Sequence, residues 1–362
     1  MTSHLQSGRK IKLVYVTSSL DDHSLGVKSK IHRQIEELNQ QGVEAMLMEY
    51  ELSLRGILKA NLRLRQELRD EGATVFCRYP TPFIFLTPFI FPSIRGRPLI
   101  LELNSIYERE FAAEDRSFAV QLVTRLLGPR ILSLADGAVA VTEEIREFYI
   151  PHQSDIVVIG NGFDVSSVPL RKATNADHGP VEVIMVANFS RWHGVERLVE
   201  SIALMDEVDN IVAHLAGSGR EADAIAALVA ERGLEGKVIM HGPKEGENLD
   251  RLFDRSQAAV GSLGLHRMNL SQASTLKARE YCARGIPLVT SVDDADLPSE
   301  LPFVLRVPAD DSPLDMDALL AFIEAQEPDV VEKMRRHAEG CMDWSVKVDQ
   351  LATYLRRKAK ER

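Results

Sequence analysis

The feature that most constrains the fold is an alternation of short apolar runs with stretches of helical spacing, which occurs twice along the chain. The first series occupies residues 10–162 and the second begins at 181. Between them, residues 163–180 are polar and contain two prolines, as linkers do. Strands that are apolar throughout and separated by helices predict a parallel sheet covered on both faces.

The pattern predicts two doubly wound α/β domains. Their strands are expected at 10–19, 43–50, 74–79, 98–104, 135–142 and 155–162, then at 181–188, 211–217, 237–242, 258–264, 287–292 and 303–307. A single helix is expected over 107–128, and a basic helix ends the chain. We expect domains at 1–162 and 163–342, with 343–362 as a separate last helix. Two such domains joined by a hinge imply a cleft, and open sheets bind ligands at the carboxyl ends of their strands.

Composition narrows the class of protein. A formal net charge of −10 argues against nucleic acid as the main partner, because phosphate backbones need clustered cations. No run approaches the ~18 apolar residues of a membrane span, and the first residues lack the pattern of a signal peptide. Cys77, Cys282 and Cys341 are isolated, as buried thiols in a reducing compartment are. We expect a cytoplasmic protein.

Four segments of the second half occur in a characteristic order: "VANFSRWHGVERLVESI", "HLAGSGREADAI", "VIMHGPKEGENLDRLFDRSQAAVGSL" and "STLKAREYCARGIPLVTS". In this order they resemble the nucleotide-binding domain of retaining group 1-type glycosyltransferases of family 4. The resemblance implies the GT-B fold, which is two facing Rossmann-like domains with a C-terminal helix that returns to the first. It also implies a nucleotide diphosphate sugar as donor and no metal cofactor.

The segment 274–284 predicts an anion site from its residues alone. Ser274 or Thr275 can cap a helix, which leaves the amides of Leu276 and Lys277 directed outward. The free N–H groups and the helix dipole favour a phosphate at this end. Glu280 lies one turn further, ~6 Å along the axis, where a carboxylate can accept bonds from two vicinal hydroxyls. Together these positions fit a nucleoside diphosphate.

The resemblance gives two of these positions a role in the reaction. Glu280 matches the acid that holds the ribose of the donor. The alternative is that Glu280 only pairs with Arg284, four residues on, on a solvated face. Gln272 occupies the place of a second acid near the donor sugar; glutamine can bond sugar hydroxyls but brings no negative charge to an oxocarbenium-like centre.

A cation is expected to neutralise the leaving diphosphate. The family often has Arg and Lys in the loop after the first strand of this domain, where this chain has Asn188 and His193. Arg191 lies between them and is our first candidate, with His193 assisting, because guanidinium forks suit phosphate oxygens. Arg267 is the second candidate. The alternative for both arginines is an ordinary surface side chain.

Four further positions are implied by the resemblance. Gly217 opens a Gly-Ser-Gly turn near the donor, and the backbone from Gly242 lies where the family often meets the nucleobase. In the first domain, Gly26 is expected in a loop that approaches the donor phosphate or sugar. Asn104 replaces a common histidine at the end of strand 98–104, and Glu102 is an alternative base. A simple turn explains each glycine equally well.

Residues 54–98 combine a basic helical stretch with a proline-rich segment that contains four phenylalanines. Such a pairing can contact lipid or a hydrophobic acceptor tail. The alternative is aromatic packing onto the first domain. We therefore keep open a peripheral contact with the inner face of a membrane.

The leading hypothesis is a hexosyltransferase of polysaccharide biosynthesis type, which moves a sugar from a nucleotide diphosphate sugar to a glycan, lipid-linked or small-molecule acceptor. Closure about Asn161–Gly162 would exclude water. One alternative is a GT-B-like nucleotide-sugar epimerase. The other is a non-catalytic nucleotide-sugar-binding partner, which Gln272 and Asn104 keep open.

Overall fold

The computed structural model describes residues 11–18, 25–51, 53–69, 73–79, 94, 96–113, 118–172, 179–205 and 211–361. Contacts divide the chain into two compact units. The first unit joins residues 1–162 with Trp344–Arg362, and the second is Phe163–Asp343. The phenylalanine-rich part of 54–98 lies largely outside the described residues.

The first unit is built on a parallel sheet of six strands. They are β1 (Lys12–Ser18), β2 (Glu44–Tyr50), β3 (Ala73–Tyr79), β4 (Leu99–Leu103), β5 (Gly137–Ala140) and β6 (Ile156–Val158). Their order in the sheet is β2-β1-β3-β4-β5-β6, and every pairing is parallel. This order is that of a doubly wound sheet, as the alternating pattern predicts.

Six described helices accompany this sheet. They are α1 (Leu25–Gln40), α2 (Leu54–Glu67), α3 (Tyr107–Ala113), α4 (Phe118–Leu134), α5 (Glu143–Tyr149) and α12 (Trp344–Lys360). The prediction of one helix over 107–128 is wrong, because α3 and α4 are separate helices. Pro129 is inside α4, yet the helix continues because Ile131 and Leu132 are buried beyond it. The missing N–H of a proline is tolerated where burial compensates.

The core of the first unit explains why the last helix belongs to it. Leu13, Phe76 and Ile100 of the sheet pack with Ile31 of α1 and Val348 of α12 in one buried cluster. The apolar residues of α12 that join the cluster recur at helical spacing, and Arg357, Lys358 and Lys360 lie in its last turn. The C-terminal helix therefore completes the first unit.

The second unit has its own parallel sheet. Its strands are β7 (Val181–Asn188), β8 (Ile211–Ser218), β9 (Val238–Gly242), β10 (Ala258–Val260), β11 (Leu288–Thr290) and β12 (Val304–Arg306). The order is β12-β11-β10-β7-β8-β9, again parallel throughout. All twelve predicted strands are present in the two sheets, with ends that differ by a few residues.

Six described helices cover the second sheet. They are α6 (Val195–Ala203), α7 (Ala222–Glu231), α8 (Gly246–Arg255), α9 (Leu276–Arg284), α10 (Met316–Glu324) and α11 (Val330–Cys341). Two clusters of buried apolar residues, one on each face of the sheet, hold them in place. Among the described residues of either unit, no helix is both long and apolar enough to cross a bilayer.

The end of β8 shows why the chain has glycine at position 217. Gly217 has φ +145°, and a Cβ built on it would overlap the carbonyl oxygen of Ala187 on the neighbouring strand β7. Gly242, the last residue of β9, has φ +66°, but the described residues place no atom within 4 Å of a Cβ there. Close strand packing requires the first glycine, whereas only the left-handed backbone favours the second.

We predict that Gly217→Ala destabilises the second unit by ~3 kcal/mol or more, since overlap adds to backbone strain of ~1–3 kcal/mol. Gly242→Ala is the matched control and should cost ~1–2 kcal/mol, the left-handed penalty alone. Chemical denaturation followed by circular dichroism measures both. Equal losses of stability would show that the approach of β7 to residue 217 is not what requires glycine.

Candidate functional site

Two loops at the carboxyl edge of the second sheet are bound to each other. The loop after β7 makes a single 3₁₀ turn at Arg191–His193, and the loop after β10 makes another at Leu265–Met268. Leu263 N–H donates to the carbonyl of His193 (2.9 Å), and Gly264 N–H donates to that of Trp192 (3.2 Å). These bonds fix the backbone around Arg191 and His193 at the edge where open sheets bind ligands.

Arg267 uses most of its hydrogen-bond donors within this pair of loops. Its guanidinium donates to the carbonyl of Arg191 (2.6 Å), to Asp311 (2.8 Å from Nε) and to Glu196. The arrangement holds the two loops together and leaves little donor capacity for a phosphate. Arg191, in contrast, has an exposed side chain.

Helix α9 begins at the same edge. Thr275 is its N-cap, with its hydroxyl accepting from the amide of Ala278 (3.4 Å), and Ser274 is buried just before it. For the amides of Leu276 and Lys277, the part of the chain that is described supplies no acceptor. The sequence predicts this pair of outward amides, which the first turn of any helix leaves unpaired.

A buried ion cluster fixes the position of α9. Arg279 is fully buried and donates to Asp294 (2.9 Å from Nη2) and to Asp296 (2.7 Å). On the next turn, the hydroxyl of Tyr281 accepts from the amide of Val186 on β7 (2.9 Å). Arg279 also donates to the carbonyl of Thr275 (3.3 Å), so the cluster reaches the cap itself.

Gln272 lies in the extended segment that leads into α9. The segment pairs with the chain beyond β11, since Ala273 N–H donates to the carbonyl of Asp293 and Asp293 N–H donates to that of Ser271, both at 2.9 Å. The backbone of Gln272 is therefore fixed by the same loop that carries Asp294.

Glu280 forms the ion pair that the alternative interpretation predicts. Its Oε1 accepts from Nε of Arg284 (2.8 Å), and Arg284 also donates to Asp250 (2.6 Å). The guanidinium of Arg284 lies 4.4 Å above the ring of Phe253. No partner for Oε2 of Glu280 is found in the described ranges. The pair orients the carboxylate and occupies one of its two oxygens.

The side chain of Lys277 is the unexpected feature of this region. Its ammonium nitrogen is inaccessible to solvent and has no hydrogen-bond partner within the described residues. Burial lowers the pKa of Lys277 from 10.5 to about 7. Burial also lowers the pKa of His193 to about 2, and the charge of Lys277 contributes to this shift. Lys277 is therefore close to His193, which stays neutral and accepts from Ser190 N–H through Nδ1 (3.2 Å).

Sequence reasoning assigned only the amide of Lys277 to the site and missed its ammonium. The spacing of 276–284 gives no sign of it, because Lys277 is next to the N-cap on a helix with several cations. Its burial depends on the loop after β7, some eighty residues earlier in the chain. The one available signal was the replacement of the expected loop lysine by His193.

The candidate residues of the first unit belong to a buried polar network. Glu102 is 3% exposed and is contacted by Lys30 (3.1 Å), the hydroxyl of Tyr15 (2.7 Å) and the side-chain amide of Asn104 (3.0 Å). Burial opposes its ionisation, but Lys30 and Asn104 hold its pKa down to about 2. Both carboxylate oxygens of Glu102 thus already accept hydrogen bonds within the protein, so Glu102 is not suited to act as the base we considered.

Two other predictions concern this unit. Asn104 accepts from Lys30 (2.6 Å) besides donating to Glu102, so its amide is held in one orientation. The expectation that Gly26 lies in a loop is wrong, because it is in the first turn of α1 with its surface exposed. The helix begins earlier than expected because its apolar face extends back to Val27. No group of three His, Cys, Asp or Glu suited to a metal occurs among the described residues.

Part of the second unit matches one family of known proteins. Residues 168–296 match the family described as glycosyl transferases group 1, and this range contains every candidate residue of the second unit. No curated protein sequence matches the chain. The match covers the sheet edge and α9, where the candidate site lies.

Solved structures resemble the whole chain. Sucrose-phosphate synthase from Thermosynechococcus elongatus is 15% identical, with a TM-score of 0.69, over 98% of this chain and 100% of that one. A glycosyltransferase from Rickettsia africae is 11% identical with a TM-score of 0.68, over 98% and 100%. HepE from Anabaena, in complex with UDP and glucose, is 16% identical with a TM-score of 0.67, over 95% and 99%. At these identities the likeness shows the fold, which is GT-B.

We predict that Lys277→Met raises the thermal stability of the protein without ligand. An unpartnered buried cation costs ~1–3 kcal/mol or more, and methionine fills similar space without charge. Each kcal/mol corresponds to ~2–4 °C for a domain of this size. Between pH of about 7 and 10 the unfolded lysine binds more protons than the folded one, so the wild type gains stability and the difference shrinks.

Differential scanning fluorimetry across this pH range measures the difference between the two proteins. Lys333→Met, which removes an exposed and ion-paired lysine on α11, is the control and should not raise the melting temperature. A Lys277→Met protein that is less stable at pH 7 would show that the ammonium has a stabilising partner.

Proposed function

We propose that the protein is a retaining glycosyltransferase that moves a hexose from a nucleotide diphosphate sugar to a hydroxyl of a glycan, lipid-linked or small-molecule acceptor. One observation carries the proposal: the unpaired amides at the start of α9 lie inside the segment that matches group 1 glycosyl transferases. A helix start with free N–H groups is a phosphate site, and the family transfers glycosyl groups. The HepE complexes with UDP and with UDP-glucose support a donor of this class.

The donor would be held along α9. Its diphosphate accepts from the amides of Leu276 and Lys277, and its ribose hydroxyls donate to Oε2 of Glu280. The bond from Arg284 to Oε1 keeps that carboxylate oriented. Gln272, fixed by its pairing with the loop at Asp293, would bond the hydroxyls of the donor sugar.

The reaction needs no protein nucleophile in this proposal. The bond from C1 of the sugar to the phosphate oxygen breaks, and its electron pair stays on that oxygen. The acceptor oxygen bonds to C1 on the same face, and its proton passes to the departing phosphate. We propose that the donor is bound without a metal, with the amides and a cation supplying the charge stabilisation.

The alternatives differ in what they do with the donor. An epimerase turns it over without an acceptor, and a non-catalytic partner binds it without turnover. Gln272 favours the second alternative over the first, because it removes the negative charge expected near the donor sugar. Turnover of the bound donor that depends on an added acceptor separates the transferase from both.

We predict that UDP, GDP or ADP raises the melting temperature, with one base preferred. A ligand at ~100 times its dissociation constant adds ~2.7 kcal/mol, which is several degrees. Glu280→Gln removes the charge of the pair with Arg284 but can keep a hydrogen bond to its Nε through the amide oxygen. Its NH2 group replaces the oxygen that would accept from the ribose, so affinity should fall ~10-fold or more. Glu339→Gln, an exposed member of an ion pair on α11, is the control. Unchanged affinity in Glu280→Gln would remove Glu280 from the donor site.

We also propose that the protein is cytoplasmic and that α2 contacts an anionic membrane surface. Leu58 and Leu62 on α2 are 53% and 63% exposed, whereas Ala60 and Leu64 are buried. The same exposed face carries the cations Arg55, Lys59, Arg63, Arg65 and Arg69. Its nearest acid, Glu67, is half-buried and paired with Lys12 (3.1 Å).

The charge of this face is opposite to that of the whole chain. The protein has a net charge of −10, yet the outer face of α2 joins leucines to cations with no acid between them. On α4, the side chains of Phe118, Leu122 and Leu126 are exposed at intervals of four residues. Right-handed crossovers place α2 and α4 on the same side of the sheet. Exposed leucines between cations suit anionic headgroups above acyl chains.

We predict that the protein sediments with vesicles of phosphatidylcholine and phosphatidylglycerol at 3:1 but not with pure phosphatidylcholine. Changing Arg55, Lys59 and Arg63 to Gln should weaken binding at least tenfold, since each cation near the surface contributes ~1 kcal/mol. Leu58→Ser with Leu62→Ser should weaken it too. Leu204→Ser removes an equally exposed leucine of the second unit and is the control. Equal binding to both vesicle types would overturn the proposal.

A further inference from the structure

The donor site contains fewer loop cations than its chemistry requires. Where the resembling family often has Arg and Lys, the loop after β7 has Asn188 and His193. His193 is neutral, because burial and the nearby charge of Lys277 hold its pKa at about 2. Arg267 is bound to Glu196, Asp311 and a backbone carbonyl. Two negative phosphates therefore need another cation.

Lys277 has the two properties that such a cation needs. Its ammonium is buried and unpartnered in the described structure, although an ammonium has three hydrogen-bond donors. It belongs to the residue whose backbone amide is one of the two unpaired N–H groups at the start of α9. A buried cation without a partner is unfavourable unless a bound ligand supplies an anionic partner.

We propose that the ammonium of Lys277, rather than the guanidinium of Arg191, binds and neutralises the leaving diphosphate. The inference rests on the proposed function and names the residue that supplies the positive charge of the proposed donor site. As the bond from C1 to the phosphate oxygen breaks, the electron pair stays on the diphosphate, whose oxygens accept from the Lys277 ammonium and from the amides. The acceptor's proton passes to the same diphosphate, and the acceptor oxygen bonds to C1.

Burial decides between the two cations. Arg191 is exposed, where water screens its charge and weakens an ion pair. The Lys277 ammonium is shielded from water, so its interaction with a phosphate is much stronger. The positive charge that the resembling family often has in the loop after β7 would thus come from the helix that follows β10. His193 stands where the resembling family often has lysine. Because its ring is neutral, two buried cations do not repel each other there.

The inference predicts a particular pH dependence of donor binding. Lys277 is near half-protonated at neutral pH in the free protein, and a bound diphosphate favours the charged form. Affinity should therefore fall as pH rises above about 7. Among the described titratable groups, His193 is the one coupled to Lys277, and it stays neutral. Glu280, three residues further along α9, is paired with Arg284.

The experiment compares Lys277→Met with Arg191→Met. Binding of UDP, GDP and ADP is measured by calorimetry, and binding of uridine, guanosine and adenosine by ligand-observed NMR. For the base that binds the wild type, Lys277→Met should weaken the diphosphate at least thirtyfold and the nucleoside less than twofold. Arg191→Met should weaken either ligand less than threefold. Between pH 7.5 and 9.5 the affinity of the wild type should fall, and that of Lys277→Met should stay constant.

The outcomes separate the inference from the function on which it rests. If the wild type binds none of the diphosphates, the proposed donor site fails and this inference with it. If the wild type binds one and Lys277→Met binds it equally, only the role of Lys277 is overturned. A large loss of diphosphate affinity in Arg191→Met alone would show that Arg191, not Lys277, neutralises the diphosphate. Higher thermal stability of Lys277→Met without ligand shows that it is folded, so weaker binding reports the missing charge.

Discussion

The buried guanidinium of Arg279 is the interaction on which the second unit's site depends. It joins Asp294 and Asp296 of the loop after β11 to the carbonyl of Thr275, the cap of α9. A buried arginine without its carboxylates is strongly destabilising, so helix and loop must keep one relative position. The same loop pairs with the segment that carries Gln272. One ion cluster therefore sets both the free amides of α9 and the residue expected at the donor sugar.

Other buried charges among the described residues are compensated in this way. In the first unit, Glu102 is surrounded by Lys30, Tyr15 and Asn104, and its low pKa shows how complete the compensation is. Lys277 departs from that rule. Polar groups that a fold leaves buried and unpaired are expected where a ligand completes them, because stability is lost there without one. This contrast is the physical reason to regard Lys277 as functional.

How far the sequence predicts the structure depends on the range of the interactions. The strands, the cap at Thr275 and the outward amides follow from neighbouring residues, and each is where the pattern places it. The roles of Arg191 and Arg267 require more. Arg267 is as suitable for phosphate as Arg191 by residue type, but contacts with Glu196 and Asp311, distant in the chain, engage it. The expected end of the helix at 128 was wrong for a similar reason, since burial of Ile131 and Leu132 carries α4 past Pro129.

The sequence by itself determined two parallel α/β sheets, the edge of the second sheet where a ligand is expected, and the helix that begins at this edge. These follow from local periodicity, capping and glycine placement, which act over a few residues. Only the tertiary structure decided which cation is buried at that helix, which carboxylate oxygen of Glu280 is already occupied, and which leucines of α2 remain exposed. Burial and pairing depend on residues far apart in the chain, and no local pattern encodes them.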